Sequence, residues 1–303
     1  MENQALSTVK TGYWRDYLAL CKPRIVALIV FTAIVGMLMS TPGMVPITPL
    51  LAGSLGIWLA AASAAVINHV VDQKIDSAMA RTRNRPLPQG SISSQSAILF
   101  AFFLGALSMI TLTFFVNALT AVLTLVSLIG YGFIYSMYLK RTTPQNIVIG
   151  GAAGAAPPVL GWSAITGTLD PNSLLLFLII FAWTPPHFWA LAIYRRNEYA
   201  EAEIPMLPVT HGVEFTRRYI LFYTIVLFVI SLLPFITNMS GLTYLFGAVV
   251  LGGGFIFYAI RMLMDHSDKL AMQTFSYSIT YLAALFSFLL IDHYMPFILQ
   301  AFM

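Results

Sequence analysis

The chain has 303 residues, of which 58% are hydrophobic and only 9% charged, with a formal net charge of +4. A soluble globular domain carries about 25% charged residues, so this composition excludes a water-soluble fold and sets most of the apolar surface against lipid. The single cysteine, Cys21, excludes an internal disulfide framework and a cysteine-rich metal site.

No segment shows the roughly 10-residue alternation of a transmembrane barrel strand, whereas apolar runs near 20 residues suit membrane helices. The fold class predicted is all-α: a polytopic membrane helical bundle of nine transmembrane helices, forming a single intramembrane domain over residues 1–303. Residues 1–22 lack a continuous apolar core and a small-residue cleavage site. They are expected to be a cytoplasmic N-terminal segment and not a removable signal peptide. The spans then follow at Ile25–Ser40, Ile47–Val70, Ser94–Phe115, Ala118–Tyr138, Ile147–Ile165, Ser173–Tyr194, Tyr219–Ile236, Leu242–Met264 and Thr274–Ile291.

Charge placement tests this count. All 16 Lys and Arg fall in the N-terminal segment, in the loops after spans two, four and six, and in the segment around the end of span eight. The alternate loops hold none. Nine spans therefore put every basic residue on one side, and positive charge is retained in the cytoplasm. The N-terminus is expected inside and the C-terminus outside.

Span two ends in the first chemical motif, Asn68-His-Val-Val-Asp72-Gln-Lys-Ile-Asp76. Positions i, i+4 and i+8 drift only about 40° per step on a helix, so one face carries all three side chains. Two carboxylates at the end of an apolar span are expensive without a cationic partner. Mg²⁺ is a natural one, since it takes one or two carboxylates plus substrate phosphates; salt bridges to Lys74, Arg81 or Arg83 would answer the same need. Span four ends in Lys140-Arg141, with Tyr135 and Tyr131 one and two turns earlier. Spans five and six carry Pro157-Pro158 and Pro185-Pro186, which either kink the helices or widen a cavity. Gly150, Gly151, Gly154 and Gly161 give span five a small-residue face suited to close helix contact. The loop after span six brings Glu198, Glu201 and Glu203. Carboxylates on two loops and basic residues on a third suggest a diphosphate bridged by Mg²⁺ and neutralised by Lys and Arg.

These motifs carry a family resemblance along nearly the whole chain. Lys22-Pro-Arg24, Asn68…Asp72…Asp76, Arg81-Thr-Arg-Asn-Arg-Pro86, Pro185-Pro-His-Phe-Trp189 and Ile204-Pro-Met-Leu-Pro208 resemble the intramembrane prenyltransferases of the UbiA superfamily, in particular the branch that prenylates heme. The resemblance implies a prenyltransferase that moves a farnesyl group from farnesyl diphosphate to protoheme IX (heme B), giving heme O for heme-copper terminal oxidases. It implies Asp72, Asp76, Asn68 and Glu198 as the catalytic and metal-holding residues, with Mg²⁺ as cofactor. Arg81, Arg85, Lys140 and Arg141 would bind the diphosphate, and Tyr131 and Tyr135 could stabilise an allylic cation.

His187 is a candidate ligand to heme iron, with a hydrogen bond to a backbone carbonyl freed by the prolines as the competing role. His69 could also meet the heme, and His211 a propionate; His266 and His293 suit the membrane interface. Implied surroundings are the bacterial cytoplasmic (inner) membrane, crossed many times, its lipid, and contact with heme A synthase or terminal oxidase assembly; nucleic acid is not expected. One position departs from the quinone-prenylating members, which carry a second Asp-x3-Asp element: Glu198 and Ala202 stand there. This leaves a second Mg²⁺ and a compensating role for Glu201 or Glu203 open. The rivals are a prenyltransferase for a quinone precursor or other aromatic acceptor, and a cation-coupled transporter. The lack of an internal repeat and the clustering of acids at one face count against transport.

Overall fold

A computed structural model of the chain describes residues 14–265 and 267–301, with side chains through residue 297. Lys10 and His266 lie outside the described residues, and of the segment 1–22 only the part from Trp14 is described. Among the described residues the protein is helical and has no strand. Eight helices are long and apolar enough to cross a membrane, and the pair α1 (Trp14–Leu20) and α2 (Pro23–Met39), bent by 53°, makes a ninth when taken as one span. The predicted nine-span pattern matches this order.

The second crossing, α3 (Ile47–Val71), leads into the short α4 (Gln73–Ala78). The hairpin α5 (Ser94–Phe115) and α6 (Ala118–Ile129) follows. Ser93 and Asn117 cap its two N-termini by accepting from the amides of Ser96 and Thr120. The fourth crossing does not stay α-helical. From Gly130 to Leu139 it is a ten-residue π-helix, then returns to α geometry in α7 (Lys140–Thr142). The fifth crossing is broken at Ala156 into α8 (Asn146–Ala155) and α9 (Pro157–Thr166). Pro157-Pro158 makes this break, because neither ring nitrogen can donate to the helix. Pro185-Pro186, in contrast, lies inside an unbroken α10 (Pro171–Tyr194). The basic-end connection holds α11 (Arg196–Glu201) and α12 (Leu207–Thr210), and α13 (Val213–Ile236), α14 (Leu242–Met264) and α15 (Asp268–Ala301) complete the bundle.

The helices pack in a closed circuit: α15 lies against α14 and α10, and also returns to α2. In the most apolar stretch of each crossing, 61% of the residues of α8–α9 and of α10 and 56% of those of α3 are buried, against 28% for α5, for the α6–π crossing and for α13. The first group therefore forms the interior and the second faces lipid. Lipid is as apolar as leucine, so close backbone approach and buried hydrogen bonds hold such helices together. Ser63 Oγ donates to the Ala101 carbonyl and Ser108 Oγ to that of Gly56, both at 2.7 Å, fastening α3 to α5. Between α2 and α9, a Cβ on Gly36 would lie 2.2 Å from the Pro158 carbonyl oxygen, and one on Gly161 1.9 Å from that of Ala33. The small-residue face of span five is thus used at Gly161, against α2. It is used again at Gly150, which faces the Tyr135 ring, and at Gly151, which faces Thr184; Gly154 meets open space.

Candidate active site

Asp72 is both the C-cap of α3 and the N-cap of α4, so the ladder continues from the Asp72 amide to the Asn68 carbonyl and from the Asp76 amide to the Asp72 carbonyl. The register survives the junction, and Asn68, Asp72 and Asp76 share one face as their spacing predicts. All three are buried, at 5%, 2% and 3% exposure. Ionised groups at such depth need partners. Lys140 Nζ lies 2.6 Å from Asp72 Oδ2, and Arg85 Nη1 lies 2.7 Å from Asp76 Oδ2. Asn68 Nδ2 donates to Asp72 Oδ2 and to Ser136 Oγ, while its Oδ1 accepts from Lys22 Nζ at 2.6 Å.

The basic groups are placed by local structure. Lys22 sits at the N-cap of α2 with φ 49°, a left-handed conformation ahead of Pro23. Strained non-glycine backbone of this kind collects at functional sites, and here it turns the lysine toward α3. The loop from Met79 to Ser93 folds back beneath α4. Thr82 Oγ1 donates to the Asp76 carbonyl, Gln73 Nε2 to that of Leu87, and Ser94 Oγ to Gln73 Oε1. That fold carries Arg85 to Asp76. The π-helix sets the third wall. Its wider turn lets the Ser136 hydroxyl donate to the Tyr131 carbonyl five residues back, presents Ser136 to Asn68, and lands Lys140 on Asp72. Tyr131 and Tyr135 stack on one another with ring centroids 5.3 Å apart. π-Helical turns recur at functional sites.

Beside the acids opens a cleft of about 340 Å³ lined by Ala19, Lys22, His69, Arg81, Asn84, Arg85 and Pro86. Lys22, Arg81 and Arg85 give its lining a positive charge. His69 is 2% exposed, and neither ring nitrogen has a hydrogen-bond partner, although Nδ1 lies 3.8 Å from Asp76 Oδ2. Arg81 lines the cleft itself, whereas Arg141 Nη2 donates to the Val71 carbonyl and caps the end of α3.

The second acidic loop reaches the same end of the bundle. Glu198 accepts from Arg195 at 2.7 Å, and its Oε2 is buried with no hydrogen-bond partner. Tyr199 is buried beside it. Burial pushes its phenol above its ordinary pKa, and the nearby charges of Arg81 and Arg195 pull the other way. Glu201 and Glu203 are exposed.

Among the described residues no three His, Cys, Asp or Glu side chains converge as a preformed metal cage, so Glu198 is not joined with Asp72 and Asp76 in one. The donors present still fit a hard cation that keeps phosphate oxygens as ligands. They are carboxylate and amide oxygens, and Asp72 Oδ1 is buried without a hydrogen-bond partner.

His187 lies deeper, in α10. Its Nδ1 is 2.6 Å from Ser278 Oγ on α15, and its ring stacks on Trp183 and Phe275. The partner is Ser278, not a carbonyl freed by the proline pair. His211 is exposed and held by Thr210, and His293 ties α15 to the Thr41 carbonyl at the opposite end of the bundle. Sequence reasoning passed over Lys22 as a site residue; the signal was a lysine fixed between Cys21 and Pro23 at the mouth of the first span.

Residues 29–289 match the UbiA prenyltransferase family. The chain is 62% identical over 283 residues to the protoheme IX farnesyltransferase of Nitrosococcus oceani, covering 93% of this chain and 95% of that one. It is 59% identical to that of Methylococcus capsulatus, covering 93% and 94%. Among solved structures, the fold is shared with a digeranylgeranylglyceryl phosphate synthase at TM-score 0.77 and 19% identity, covering 92% of this chain and 98% of that one. It is also shared with a UbiA homolog from Archaeoglobus fulgidus bound to DMAPP and Mg²⁺, at TM-score 0.62 and 18% identity, covering 90% and 99%.

Proposed function

The chain belongs to the UbiA prenyltransferase family, and from that premise we propose that it transfers a farnesyl group from farnesyl diphosphate to a vinyl group of heme B, giving heme O and diphosphate. Relatives named protoheme IX farnesyltransferase, at 54–62% identity over nearly their full length, support this acceptor. One structural observation carries the chemistry: two buried carboxylates on one helix face stand against a cleft ringed by Lys22, Arg81 and Arg85.

Asp72, Asp76 and Asn68 would hold Mg²⁺, with Glu198 contributing from the second loop, and the bound ion supplies Lewis-acid neutralisation of the diphosphate oxygens. Lys22, Arg81, Arg85 and Lys140 take up the remaining negative charge, and Arg141 steadies the helix end that carries Asp72. Neutralising the leaving group lets the allylic C–O bond break, with its electron pair departing on the diphosphate. Tyr131 and Tyr135 offer stacked ring faces to the farnesyl cation, and the apolar bundle keeps water from it. The vinyl carbon of heme attacks that cation. Water then adds to the resulting heme-centred cation and loses a proton, which gives the hydroxyfarnesyl product.

The protein is a multi-pass membrane protein, and we place it in the bacterial cytoplasmic membrane with its N-terminus inside and its C-terminus outside. The decisive experiment is to incubate purified protein with heme B, farnesyl diphosphate and Mg²⁺ and look for heme O by mass spectrometry, with a quinone precursor as the competing acceptor. Prenylation of the quinone precursor alone would overturn the assignment.

A further inference from the structure

His187 is fixed more completely than packing requires. Trp183 stacks on it with ring centroids 4.1 Å apart and planes at 18°, and Phe275 with centroids 4.5 Å apart and planes at 24°. Two rings at such distances cannot share one face, so they clamp the imidazole from both sides. Phe188 meets it edge-on at 5.1 Å. The hydrogen bonds then decide its tautomer. Ser278 Oγ lies 2.6 Å from the Phe275 carbonyl oxygen and 2.6 Å from His187 Nδ1. A carbonyl cannot donate, and a hydroxyl has one proton. Ser278 gives that proton to Phe275 and accepts from His187 Nδ1–H. The Trp183 indole N–H donates to the Ser278 carbonyl at 2.7 Å, so the ring that covers His187 also anchors the residue that orients it. The proton is therefore on Nδ1, and Nε2, which makes no hydrogen bond, carries a lone pair.

We propose that Ser278 is a positioning residue that holds His187 as a neutral Nε2 donor to the iron of the acceptor heme. This inference rests on the proposed function, which supplies heme as the acceptor. Metal-ligating histidines commonly donate their other ring N–H to an oxygen acceptor, which fixes the ring and raises its basicity. The placement suits the reaction. His187 lies seven residues before the end of α10 at Tyr194, or about 10 Å deeper than the basic end at 1.5 Å per residue. The diphosphate group would stay at the basic end while its farnesyl chain reached down toward heme held beneath.

Resonance Raman spectra of the full-length protein loaded with ferrous heme B test this, together with steady-state kinetics. The wild type should show an iron–imidazole stretch. Ser278→Ala should lower its frequency and raise the KM for heme about 10-fold, at the low end for loss of such a supporting hydrogen bond, with the KM for farnesyl diphosphate unchanged. Ser278→Thr, which keeps the hydroxyl, should restore both values, and His187→Ala should abolish the band. An unchanged farnesyl diphosphate KM reports an intact fold. A band that survives His187→Ala, a wild type without one, or a Ser278→Ala variant with wild-type band and heme KM would each overturn the proposal. A wild type that makes heme O alongside any of those results leaves the proposed function standing; a wild type that makes none removes both.

Discussion

Lys140 Nζ and Asp72 Oδ2, 68 positions apart in the chain, meet at 2.6 Å at the end of α3 that carries the acidic motif. On the proposed mechanism the pair serves both stability and binding, and the two roles can be separated. Asp72→Asn keeps the side-chain shape and the contact with Asn68 but removes a charge from the metal-binding face. Loss of this kind of electrostatic stabilisation costs about 10²–10³ in rate, by analogy with oxyanion-hole variants. It also strands Lys140. The stability loss should stay below the about 3–5 kcal/mol of a fully buried broken pair, because the Lys140 side chain is 14% exposed. Asp72→Asn/Lys140→Met should recover the melting temperature in detergent while staying inactive. Chelation with EDTA should silence the wild type and Mg²⁺ should revive it, with Asp265→Asn, which does not line the cleft and accepts from the Ser267 amide in the α14–α15 connection, as the neutral control. Full activity of Asp72→Asn would show that the leaving group binds elsewhere.

Lys22 should matter to one substrate only. A charge-assisted hydrogen bond contributes about 1.5–3 kcal/mol, so Lys22→Gln should reduce kcat/KM for farnesyl diphosphate about 10- to 100-fold. The KM for heme should not change, because Lys22 faces the cleft and His187 lies deeper. Equal losses toward both substrates would mean that Lys22 serves the fold instead.

The contact between α2 and α9 predicts a stability difference between two glycines of the same crossing. Gly161→Ala pushes a methyl group into the Ala33 carbonyl, whereas Gly154→Ala points into open space. Overpacking costs about 1–3 kcal/mol. Thermal unfolding in detergent should show Gly161→Ala melting several degrees lower and Gly154→Ala close to wild type. Two variants of equal stability would contradict the packing.

Topology can be read with reporters. Every Lys and Arg among the described residues sits at one end of the bundle, which predicts that end in the cytoplasm. A C-terminal alkaline phosphatase fusion should be active and a C-terminal green fluorescent protein dark. A fluorescent fusion would reverse the orientation.

Much of this was legible in the sequence because it depends on short-range periodicity. Span order follows from runs of apolar residues, and the shared face of Asn68, Asp72 and Asp76 follows from their four-residue spacing. What escaped depends on contacts between distant segments or on unusual backbone. Apolar composition does not distinguish a π-helix from an α-helix, so the fourth crossing read as regular. The left-handed turn at Lys22 is invisible to charge counting, which sees only a topology anchor. Ser278 is one of many serines until α15 lays it against His187, 91 residues earlier in the chain. Glu198 read as a partner of the first acidic motif, yet Arg195, three residues before it, is its immediate counter-ion.

The π-helix at Gly130–Leu139 makes the site sensitive to insertion and deletion in a way that substitution scanning would miss. Removing one residue from those ten would let the backbone relax toward α geometry and change the rotation and rise with which everything downstream leaves the crossing. Lys140 would swing off Asp72, and Tyr135 would leave the flat surface offered by Gly150. Every motif residue would still be spelled correctly in the gene. Across this stretch the reading frame of the helix, more than the identity of any side chain, holds Lys140 on Asp72 and Ser136 on Asn68.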